Sequence, residues 1–176
     1  MSQASHTREL YAALEKVAPE LEALSREAEI QRRPPEALAA LFKQARVPMA
    51  KVPRELGGYE IPPSEHVDYF ARIAYLNPTA GWIAFNQNGS AGLAGAILPD
   101  AGVERIFAED SPLFAAVSAP TGRSTAVEGG YRVAGRWSYA SGVHVADDIL
   151  VFLNAPDDIA IHDLHVVDVK EHLHVG

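Results

Sequence analysis

The chain has 176 residues, 48% hydrophobic and 22% charged, so it can bury a sizeable core and is not composed like a disordered chain. Its net charge is −8 with no lysine–arginine cluster, which excludes the electrostatic footprint of a nucleic-acid-binding surface. It has no cysteine, so disulfides, thiolate metal sites and a cysteine nucleophile are excluded.

The N-terminal stretch MSQASHTRELYAALEKV lacks the basic segment and apolar core of a secretory signal. No run approaches the roughly 18 uncharged apolar residues of a membrane span. The expectation is a soluble, cytoplasmic protein with no membrane or nucleic-acid partner.

The first 110 residues read as helices. In TRELYAALEKVAPELEALSREAEI, Leu10, Leu14, Val17, Leu21, Leu24 and Ala28 recur at three- and four-residue steps, an amphipathic stripe. Pro19 has no N–H to donate and crowds the preceding turn, so it is expected to kink or divide this helix. RRPPEALAALFKQARV begins a second helix, with Pro35 in its first turn and Leu38, Leu41 and Phe42 buried. PMAKVPRELGGYEIPP is punctuated by Pro and Gly and predicts a loop. SEHVDYFARIAYL resumes the helix, burying Val67, Phe70, Ala71 and Ala74, and Asn77-Pro78 ends it. TAGWIAFNQNGSAGLAGAIL is apolar nearly all round and predicts a helix buried on most sides, Trp82 included. DAGVERIFAED closes this half as a short amphipathic helix.

After Ser111 the period changes to two. PLFAAVSAP, STAVEGGYRVAGRWSYASG, DDILVFLNA and IAIHDLHVVDV read as strands, with a hairpin turn at Gly129-Gly130. Helices followed by strands predict an α+β chain. Its N-terminal all-helical domain spans 1–110 and an antiparallel β-domain spans 111–176. No glycine-rich loop joins a strand to a helix, so a dinucleotide or phosphate-loop site has no support.

Three stretches carry candidate chemistry. In GGYRVAGRWSYASG, strand alternation puts Tyr131, Val133, Gly135, Trp137, Tyr139 and Ser141 on one face. Gly135 admits a planar ligand or another backbone there; the alternative is a packed sheet face with a bulge at Gly135. In FNQNGS, Asn86 and Ser90 lie one helical turn apart and either bind a substrate or bond to nearby backbone groups. In the tail, His162, His165, His172 and His174 accompany Asp163, Asp168 and Glu171. His162 and His165 face opposite ways in a strand, so no metal site is expected.

GWIAFNQNGSAGLAGAILPD and AAVSAPTGRSTAVEGGYRVAGRWSYASGVHVADDILVF resemble the acyl-CoA dehydrogenase superfamily, and within it the flavin-dependent two-component aromatic hydroxylases. The resemblance implies that 111–176 is a partial middle β-domain. It implies a flavin cofactor, reduced FMN or FAD, supplied by a separate flavin reductase. Oxygen adds to it as a hydroperoxide and passes to a small aromatic substrate. It also implies that Ser118, Ala119, Pro120, Thr121 and Gly122 meet the flavin pyrimidine edge. By the same resemblance Trp137, Tyr139, Ser141 and Gly142 line the ring, with Ser141 beside N5 as the catalytic residue. SAPTG, in place of the Thr-Glu-Pro of the dehydrogenases, favours the hydroxylases.

Two departures stand beside it. The family continues into a C-terminal helical bundle that completes the flavin site and builds a homo-oligomer, whereas this sequence ends at Gly176. The hydroxylases also carry a histidine near the position of Asn88 to Ser90, and none is present here. Two other readings therefore stay open: an acyl-CoA dehydrogenase-type enzyme, and a non-catalytic truncated remnant that associates with a full-length homologue.

Overall fold

The computed structural model describes residues 3–108, 110–128, 130–154 and 165–168. The expected tail cluster, apart from the backbone of His165 and Asp168, lies outside them.

Helix α1 (Gln3–Ala23) is followed at once by α2 (Ser25–Gln31). Pro19 lies inside α1 and does not divide it. Its ring is exposed, while Leu14, Val17, Ala18 and Leu21 are buried on both sides of it and hold the helix in line. The chain breaks instead at Leu24, and Arg32 closes α2 in the left-handed region at φ 55°. Helix α3 (Ala37–Gln44) buries Leu38 and Phe42 as expected.

The Pro/Gly-rich stretch forms short 3-10 turns at Val47–Met49 and Arg54–Leu56. It folds back on itself through Tyr59 N–H to Met49 O and Ile61 N–H to Ala50 O. Helix α4 (Pro63–Leu76) buries Tyr69, Phe70, Ile73 and Leu76. The expected Val67 is 70% exposed. Each set forms a helical face by spacing, and packing on α1, where Tyr69 meets Tyr11, and on the next helix selects between them. Helix α5 (Pro78–Ile97) is capped by the Asn77 side chain, which accepts from Ala80 N–H at 3.0 Å. It lies so close to α4 that a Cβ on Gly81 would sit 2.5 Å from Ala74 Cα. Helix α5 buries its small and polar residues and turns its aromatics outward. Ala80, Ala84, Gln87, Asn88, Ala91 and Ala94 are buried, while Trp82 is 61% exposed. The expectation of a buried Trp82 is therefore corrected: close approach of backbones selects the narrow side of the helix. Among the described residues no helix is long and apolar enough to cross a membrane.

After α6 (Asp100–Phe107) come β1 (Phe114–Val127), β2 (Gly130–Ala134), β3 (Asp148–Asn154) and β4 (His165–Asp168), in sheet order β2-β1-β3-β4. The architecture is α+β, but the sheet is mixed where an antiparallel one was expected. The β1–β2 hairpin and the β3–β4 pair are antiparallel, while β1 and β3 run parallel. Parallel neighbours need a crossover, and residues 135–147 provide it. One sheet face packs Phe114 and Leu150 against Met49, Val52, Ala91, Ala94 and Ile106. The crossover covers the other, setting Trp137, Ala140, Val143 and Ala146 against Ala115, Ile149 and Val151. Asp147 ties helices to sheet: its carboxylate pairs with Lys43 at 2.6 Å and accepts from Leu113 N–H.

Candidate active site

The two segments singled out in the sequence meet at one edge of the sheet. In β1, Val117 pairs with Val151 and Gly122 with Leu153, so five steps on β1 oppose two on β3. Pairing with β2 starts only at Arg123. Residues 118–121 therefore bulge outside both ladders, and Ser118, Ala119, Pro120 and Thr121 are all exposed. Gly122 stays buried beneath them.

The second segment is not the continuous strand that alternation predicts. β2 stops at Ala134, and the chain turns where Gly135 passes over Gly122. A Cβ on Gly135 would lie 2.6 Å from Gly122 Cα, so the gap admits another backbone. Thr121 Oγ1 donates to Arg136 O at 2.7 Å and locks bulge and turn together. Trp137 lies partly buried on the sheet face, its indole N–H donating to Phe152 O at 3.3 Å. Tyr139 takes a left-handed φ of 65° and is 96% exposed. A tight turn, Ser141 N–H to Tyr139 O at 2.8 Å, then leads to Gly142 at φ 85°. Trp137, Tyr139 and Ser141 thus do not share a strand face. Local chain reversal, driven by the Gly135–Gly122 contact, overrides the period of two.

Ser141 faces an open groove of about 330 Å3 that Trp82, Ile83, Thr79 and Gly142 also line. Its Oγ accepts from Trp82 Nε1 at 3.0 Å. A hydroxyl that accepts still has its own proton to give, so Ser141 offers a donor at the groove. Trp82 is held in place by that bond and by stacking on Phe85, at 6.5 Å and 30°.

Asn86 and Ser90 do not line this groove. The Asn86 amide donates to Trp82 O and the Ser90 hydroxyl to Asn86 O, so each engages the carbonyls of its own helix. Their neighbours Gln87 and Asn88 went unread in the sequence. Asn88 is fully buried and donates to Val47 O and Ala84 O while accepting from Lys51 N–H. It fastens α5 to the 47–51 turn. Gln87 is fully buried under Gly142, and neither amide atom finds a partner among the described residues. The Asn-Gln-Asn run inside an apolar helix was the available signal.

The geometry has solved counterparts. XiaF from Streptomyces sp., solved with FADH2 and glycerol, superposes with a TM-score of 0.82 at 24% identity, covering 99% of this chain and 46% of that one. This is an acyl-CoA dehydrogenase-like fold. In sequence, the chain is 34% identical over 108 residues to indole-3-acetate monooxygenase of Pseudomonas putida, covering 60% of this chain and 27% of the relative. It is 32% identical over 102 residues to a pigment production hydroxylase of Rhodococcus erythropolis, covering 54% and 24%. The chain thus spans about a quarter of the length of the curated relatives it matches. No protein-family profile matches it. The flavin-dependent monooxygenase branch read from SAPTG and GGYRVAGRWSYASG agrees with these relatives.

Proposed function

We propose that the chain carries one wall of the active site of a flavin-dependent monooxygenase that hydroxylates a small aromatic substrate. The helical part (1–110) and the β part (111–176) each contribute to that wall. The observation that carries the reading is the junction of the 118–121 bulge with the turn that follows Gly135, locked by the Thr121–Arg136 bond on the chain segment that leads to Ser141. The relatives' own names, an indole-3-acetate monooxygenase and a hydroxylase, support the reaction class, and the FADH2 complex of XiaF supports the cofactor.

The residues present fit a flavin. The bulge at 118–121 lies outside both sheet ladders, on the exposed side of β1 where a planar ring edge would have access. The Ser118 and Thr121 side chains stand on the same exposed rim. Bound there as reduced FMN or FAD, delivered by a separate reductase, the flavin supplies the electrons that activate dioxygen. With a flavin bound, Ser141 would keep its own O–H to donate to it, since Trp82 fixes the oxygen as an acceptor. Gly142 keeps the chain turning, because φ 85° disfavours a side chain.

Anaerobic calorimetry tests this. A single open wall is expected to bind reduced flavin at roughly 0.1–1 mM. Ser141→Ala is expected to weaken binding about three- to tenfold, the worth of one hydrogen bond. Absence of any flavin heat at millimolar concentration, or equal affinity in the variant, overturns the reading.

A further inference from the structure

The groove beside Ser141 has a charged end that the flavin reading leaves unused. Arg32 and Arg33 line it, together with Trp82, Thr79 and Ser141. Neither guanidinium forms an ion pair or hydrogen bond among the described residues. Glu29 lines the same groove one turn earlier without pairing with either, which leaves the lining groups with a positive excess.

The backbone goes out of its way to place this pair. Arg32 closes α2 with φ 55° and ψ 30°, a region that costs a side-chain-bearing residue free energy and that glycine or asparagine would occupy more readily. Pro34 and Pro35 follow directly and stiffen the exit. Strain of this sort is informative when it sits at a concave site.

We infer that the groove between α2, the start of α5 and the Ser141-Gly142 turn binds a planar aromatic carboxylate, with its carboxylate on Arg32 and Arg33 and its ring along Trp82. This names the substrate class of the site proposed above and rests on that reading for its catalytic meaning. Each feature has a chemical reason. A guanidinium presents paired N–H donors at the spacing of a carboxylate's two oxygens. The indole wall, oriented by its bond to Ser141, gives a ring a flat apolar surface with no ordering left to do. A volume of about 330 Å3 suits one substituted ring and is small for a flavin with its ribityl chain. Ser141 stands at the boundary, lining the groove on one side and following the flavin-facing turn on the other.

The test needs no flavin and no turnover. The unmodified chain is titrated with phenylacetate and, separately, with its neutral isostere phenylacetamide, following the two tryptophan indole N–H resonances and the heat of binding. Phenylacetate is expected to shift the Trp82 resonance and to bind at least about tenfold more tightly than the amide, as a charge-assisted pair requires. Added salt should narrow that gap. The doubly substituted Arg32→Gln/Arg33→Gln chain changes only exposed side chains, so its fold is not at risk, and it is expected to bind acid and amide equally. Equal binding of acid and amide by the unmodified chain overturns the inference, as does acid binding that survives the double substitution. Failure of flavin to bind in the preceding experiment sinks the monooxygenase reading and leaves this result standing.

Discussion

Adjacent residues of α5 show how differently two buried amides can be treated. Asn88 gives both amide N–H groups to Val47 O and Ala84 O and accepts from Lys51 N–H. Gln87 is equally buried, and its amide makes no hydrogen bond among the described residues. Removing a satisfied buried amide strands its partners, whereas removing an unsatisfied one relieves a desolvation cost. Asn88→Ala is therefore expected to lower unfolding free energy by about 2–3 kcal/mol, and Gln87→Leu to leave it unchanged or raise it by about 1 kcal/mol. Urea unfolding of the two variants checks the pair, and a loss above about 1 kcal/mol in Gln87→Leu would show that its amide is bonded after all. Trp82 belongs to the same comparison: its indole is largely exposed, so its value lies in orienting Ser141 and the groove rather than in core packing.

At the level of elements, α5 owes its place to small residues. Gly81 meets α4 so closely that a methyl group would run into the backbone of Ala74, while Gly89 in the same helix has nothing within 4 Å of the corresponding position. The two glycines should respond oppositely to one substitution. Gly81→Ala is expected to cost more than about 2 kcal/mol by forcing the helices apart. Gly89→Ala is expected to stabilise by about 0.5–1 kcal/mol, because alanine loses less backbone freedom in a helix. Thermal unfolding separates the two signs, and stabilisation by both would refute the α4–α5 approach. The sheet shows the same dependence on close contact, since the passage of Gly135 over Gly122 starts the crossover that makes β1 and β3 parallel.

For the whole molecule, stability carries a pH signature through His66 on α4. Burial depresses its pKa below the ordinary histidine value, and nearby Lys51 adds to this, against weaker opposing effects of the Ile61 backbone and Glu65. The unfolded chain therefore binds the proton more readily than the folded one. Stability is then at its full value above the ordinary histidine pKa of about 6.5 and falls as pH drops from there toward the depressed folded value. Denaturation midpoints are expected to decrease between pH 7 and pH 5, and His66→Phe, which keeps a ring against Phe70, is expected to flatten that slope. A slope unchanged in His66→Phe would assign the dependence to other groups. The carboxylate of Glu15 acts over a lower range. Its bond to Arg72 draws its pKa down, so its contribution is present at neutral pH and lost only in more acidic solution.

Local chemistry was enough to find most elements of this chain. Spacing of three and four marked the helices, Asn77-Pro78 marked the end of one of them, and the change to a period of two marked the sheet. The same local signals singled out GGYRVAGRWSYASG, whereas the 118–122 segment came from the family resemblance. They left undecided everything that depends on what a residue packs against. Two apolar stripes on α4 have the same spacing, and only packing against α1 and α5 chose Tyr69 and Ile73 over Val67 and Ala71. Pro19 stays within a helix because core residues on both sides hold the flanking turns. Asn86 and Ser90 look like ligands by type, but their partners are carbonyls of their own helix. The run from Gly135 to Ser141 alternates like a strand, yet a contact with a glycine thirteen residues earlier turns it aside. The Arg32–Arg33 pair was visible as RRPP, but its meaning depends on a groove shared with Trp82 and Ser141, residues that are distant in sequence. Periodicity reports how neighbours along the chain are arranged, while facing, register and the meeting of distant side chains are set by non-local packing.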